Sequence, residues 1–66
     1  MSKKDYVAIA RTISHCLNAN KGDDKACDAI KQVAIELSLQ AFKPDNKAFN
    51  TDTFMIAAGC YTVADL

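Results

Sequence analysis

The chain has 66 residues, and its eight lysines and arginines balance eight aspartates and glutamates, which excludes a general attraction to nucleic acid or anionic lipid. Half of the residues are hydrophobic, which suits one small domain, 1–66, whose core leaves little spare stability, so self-association or a partner is expected. Three cysteines without a CxxC pair make no disulfide framework.

The opening Met1-Ser2-Lys3-Lys4-Asp5 is charged, and Asp5, Arg11 and His15 interrupt any apolar run, so neither a signal peptide nor a membrane span is expected. The protein reads as cytoplasmic, with reduced thiols. Cys16 and Cys27 fall at core spacing, and Cys60 is the one expected at the surface.

The first predicted helix covers about 3–18, with Ser2 as N-cap and Asp5 three residues on as an approximate capping box. At about 100° per residue, Tyr6, Ile9, Ala10, Ile13, Cys16 and Leu17 share one arc, and Lys4, Ala8, Arg11 and His15 form the opposite stripe. The turn formers from Asn18 to Asp23 end it.

The second predicted helix covers about 24–42 and stops before Pro44, which disfavours helical geometry in its predecessor. Its main apolar arc is Ala26, Cys27, Ile30, Val33, Ala34, Leu37 and Ala41. A further stripe, Ile35, Leu39 and Phe42, lies almost opposite, giving more apolar surface than one neighbouring helix can cover. Residues 42–48 read as a loop.

The third predicted helix, about 51–58, has both ends marked. Asn50 is a good N-cap, Phe49 and Phe54 are spaced as a hydrophobic staple, Asp52 complements the helix dipole, and Gly59 supplies the left-handed terminus. The tail from Cys60 to Leu66 alternates weakly and is expected either to dock as an extended arm or to stay mobile. The sum is an all-α fold, a small three-helix bundle with an extended C-terminal tail.

Catalytic constellations are weak. His15 and Cys16 are helix neighbours and point about 100° apart, so they cannot form a nucleophile and base dyad. His15, Cys16, Cys27 and Cys60 lack the short paired spacing of a zinc site. Asp24 and Asp28 share a face but are ordinary first-turn carboxylates beside Lys25 and Lys31. Asp23-Asp24 and Asp45-Asn46 lack the glycine and terminal glutamate of a calcium loop, and no glycine-rich phosphate loop is present. The expectation is therefore no enzyme, no cofactor and no metal.

Two surfaces remain. Ile35, Leu39 and Phe42 are covered by the third helix and tail through Phe54, Met55 and Val63, or stay open as a self-association or partner face that makes the protein a homo-oligomer. Lys4, Arg11 and His15 offer a secondary polar surface for a nucleic-acid-associated role, with only one arginine for base reading.

The opening Lys3-Lys4-Asp5-Tyr6-Val7-Ala8-Ile9-Ala10 and the closing run from Phe49 to Gly59 resemble the small helical proteins of tailed bacteriophages and prophages that begin near KKDY-x-x-IA and finish near FDRxRFLxACG. The likeness covers about a third of the chain. Thr51 and Thr53 stand where that pattern has arginine, and Ala58 where it has cysteine, so no role of those residues carries over. The resemblance implies a phage origin, a place in the host bacterial cytoplasm, and a non-enzymatic accessory role. Such a protein acts by binding a protein partner or a small signalling ligand, to block or divert a host defence or metabolic component.

Overall fold

Serine and aspartate set the first helix as the sequence leads one to expect. Ser2 stands at the N-cap in extended backbone, and the Asp5 carboxylate accepts from its N–H at 2.9 Å and its hydroxyl at 3.2 Å. These bonds favour the charged carboxylate and lower the Asp5 pKa, the backbone bond being the larger cause. In the computed structural model, which describes residues 1–62, helix α1 runs Lys3–Ala19. Ala10 and Ile13 are buried, Tyr6, Ile9 and Leu17 pack partly against the core, and Lys4, Ala8, Arg11 and His15 are exposed.

Helix α2, Asp24–Leu37, starts from Asp23, whose side chain accepts from the Ala26 N–H at 3.0 Å. The rod then continues through one π turn, Ser38–Phe42, into a last α-helical turn, α3, Lys43–Asp45. The expected stop before Pro44 does not occur. Lys43 keeps helical backbone at φ −64 and ψ −45, and the helical path ends only at Asn46, with φ −143 and ψ 104. The Lys43 N–H reaches back to the Ser38 carbonyl, five residues away, and this wider turn makes room for the proline ring, which otherwise clashes with the preceding turn.

The loop is consequently shorter than the expected 42–48. Asn46 accepts from the Ala48 N–H at 3.0 Å, and the Lys43 ammonium donates to the Lys47 and Phe49 carbonyls at 3.1 and 2.9 Å, tying the loop to the rod. Helix α4, Thr51–Ala57, then matches its marks. Asn50 accepts from the Thr53 N–H at 3.0 Å. Gly59 has φ 78, its N–H bonds to the Ile56 carbonyl, and the Cys60 N–H bonds to that of Met55, a Schellman ending.

The three helical rods form a small all-α bundle without strands among the described residues. Its centre is aromatic. Phe42 lies 5.1 Å from Tyr6, 5.4 Å from Phe49 and 5.3 Å from Phe54, centroid to centroid, in edge-to-face contacts. Phe49 and Phe54 meet at 5.6 Å, the expected staple. The expected extended arm is corrected at its start, because the Cys60 and Tyr61 N–H groups both return to the Met55 carbonyl. Residues 63–66, and so Val63 as a covering residue, lie outside the described part.

Candidate functional site

The three residues expected to make one apolar face are separated by the fold. Phe42 is only 4% exposed and belongs to the core; Ile35 packs partly against that core; Leu39 alone stands open, at 52%. A π turn holds about one residue more than an α turn, so residues beyond it swing back from the position that a uniform helical step assigns. Phe42 is thereby brought beneath α4, beside Ala34 and Ser38 on the buried side, and is no part of a surface.

Besides Leu39, uncovered apolar surface of the second rod lies at and beside the arc expected to be core. Val33 is 57% exposed, and Ala29 and Ala41 are exposed as well. Val33, Leu37 and Ala41 line one shallow depression with Gln32, Glu36 and Gln40. Val33 also borders a second depression, where Ala29 and Ile30 face Thr12, Ile13 and Cys16 of α1. The polar edge is tied down, since Gln32 and Gln40 donate to the two Glu36 oxygens at 3.0 and 3.4 Å. The signal for this face was present in the sequence as excess apolar residues; its position was not.

A larger groove, about 340 Å³, opens between the start of α1 and α4, lined mainly by Tyr6, Val7, Ala10, Phe49, Phe54 and Ala57. Its size reaches the lower range of small-ligand pockets. The Tyr6 hydroxyl at its wall is buried without a hydrogen-bond partner, as is the Ser38 hydroxyl on α2's continuation. Sequence reasoning did not find this groove, because it is assembled from two segments, 1–10 and 46–57, that are distant in the chain.

Lys4, Arg11 and His15 are exposed, in one row on the outer side of α1, and make no ion pair or hydrogen bond among the described residues. The thiols reverse the expected order. Cys16 is exposed, Cys27 is half-buried and donates to the Asn20 carbonyl at 3.2 Å, and Cys60 is buried. Cys16 sits at the margin of the α1 arc, in the open depression beside α2, whereas the turn after Gly59 folds Cys60 inward. Burial pushes the Cys60 thiol pKa up, and Lys31 opposes this only in part.

Among the described residues, no three His, Cys, Asp or Glu side chains stand close enough to hold a metal ion, and no helix is long and apolar enough to cross a membrane. Set against protein-family models, curated proteins and solved structures, the chain matches none.

Proposed function

We propose that this is a non-enzymatic, phage-type accessory protein that acts by binding in the host bacterial cytoplasm, occupying a host defence or metabolic component. The supporting observation is the open apolar face of α2 around Val33, left uncovered in a chain too small to waste burial. Three free thiols suit a reducing compartment. The phage part of the reading rests on the likeness of the two chain ends. In this reading the α2 face is the oligomeric surface, and the groove beside Tyr6 and Phe54 accepts an apolar group of a protein partner or small signalling ligand.

The test is affinity capture from bacterial lysate by the tagged protein, with Val33→Asp and Ala57→Arg beside the wild type. A protein retained by the wild type and lost with Ala57→Arg, at unchanged circular dichroism, is the expected outcome. Retention of the same proteins by the wild type and both variants counts against a specific partner. A second reading, a nucleic-acid-associated role, is favoured only by the unpaired row Lys4, Arg11 and His15. It requires binding to DNA or RNA that weakens steeply with salt and disappears in Lys4→Ala/Arg11→Ala.

A further inference from the structure

The groove between α1 and α4 joins an apolar wall to a rim that donates hydrogen bonds and has few acceptors left. Val7, Ala10 and Ala57 line it with Phe49 and Phe54. The Tyr6 hydroxyl is shut away from solvent, so it offers nothing to a molecule entering from outside. Recognition of a polar group therefore falls to the rim, where Lys3, Asn46 and Asn50 stand.

The hydrogen bonds of that rim give it a direction. Asn46 Oδ1 already accepts from the Ala48 N–H at 3.0 Å, and Asn50 Oδ1 from the Thr53 N–H at 3.0 Å. Each amide is left with its NH2 group, a donor. The backbone acceptors of the same stretch are spent as well. The Asn46 carbonyl takes the Phe49 N–H at 2.9 Å, the Asn50 carbonyl the Phe54 N–H at 3.1 Å, and the Phe49 carbonyl the Lys43 ammonium at 2.9 Å.

Charge points the same way. Lys3 is exposed and forms no ion pair among the described residues. No described aspartate or glutamate lines the groove, and the two carboxylates nearest in the chain are engaged elsewhere, Asp5 by Ser2 and Asp45 by the N-terminal ammonium. Resting on the reading of this groove as a ligand site, we propose that its occupant is a small amphipathic carboxylate. The apolar body lies along Val7, Ala10 and Ala57, and the carboxylate meets the Lys3 ammonium and an asparagine NH2 group at the rim. An ionised carboxylate only accepts, which matches a rim that mainly donates, and charge-assisted bonds of this kind are the stronger ones. A neutral apolar molecule leaves these donors to water, and an alkylammonium sets cation against cation. The volume, about 340 Å³, suits a small molecule.

Titration of the full chain with decanoate, decanol and decylammonium, each kept below its micelle concentration and followed by proton–nitrogen NMR, tests the assignment. Decanoate should shift the Val7, Ala10 and Ala57 amides and the Asn46 and Asn50 side-chain amides to saturation. It should bind about tenfold more tightly than decylammonium, with decanol between them. Lys3→Glu, at an exposed position, should keep the fold and invert that order, while Ala57→Phe should weaken all three by filling the groove. No saturable shift with millimolar decanoate overturns the proposal, as do equal affinities for the three head groups, shifts gathered outside the groove, or an order that survives Lys3→Glu. A host protein lost with Ala57→Arg, together with decanoate that fails to bind, sinks the carboxylate and leaves the binding role standing.

Discussion

Cys16, Cys27 and Cys60 share one chemistry and three environments. Alkylation under native conditions, followed by mass spectrometry, should modify Cys16 first, Cys27 next and Cys60 last, because exposure falls in that order and thiolate is the reacting form. The raised Cys60 pKa has a defined sign for stability. The thiol's contribution is complete below the pKa of the unfolded chain and is lost as pH rises through the higher folded value, so base weakens the fold here and acid does not. Reading Cys16 as core from the sequence failed for a geometric reason: it closes an arc wider than the strip that α2 covers, and an arc does not say where its neighbour ends.

At the scale of single helices, the legible parts are those specified by residues close in the chain. Helix α4 needed only Asn50, the Phe49 and Phe54 pair and Gly59, all within one short segment. Asn50→Ala should therefore lower stability by about 1 kcal/mol, seen as a lower urea midpoint with an unchanged slope. The Ser2 and Asp5 start of α1 was legible for the same reason. The second rod was not, because assigning its faces assumed a uniform step and a stop at Pro44. One π turn breaks both assumptions, and with them the grouping of Ile35, Leu39 and Phe42. Of the two alternatives the sequence left open for that stripe, Phe42 takes the covered one, against Phe54, while Leu39 stays exposed.

For the whole molecule, the division between Phe42 and Leu39 can be measured. Phe42→Ala removes the ring that touches Tyr6, Phe49 and Phe54, and should cost about 3–5 kcal/mol, a large share of what a domain this size possesses. Leu39→Ala, at an exposed position, should change stability by less than about 0.5 kcal/mol. Thermal melts by circular dichroism separate the two. The groove beside Tyr6 escaped sequence reading because its walls converge only in the finished fold. The same aromatic cluster also governs the timing of folding. Tyr6 meets the rings of Phe42 and Phe49, and Phe54 closes on both of those, so the cluster joins residues 48 positions apart. Closing so long a loop has an entropic cost that the early helices cannot offset by themselves. A nascent chain therefore gains this fixed tertiary packing only after Phe54 has been added, and fragments cut short before Phe49 should remain loose, protease-sensitive helices.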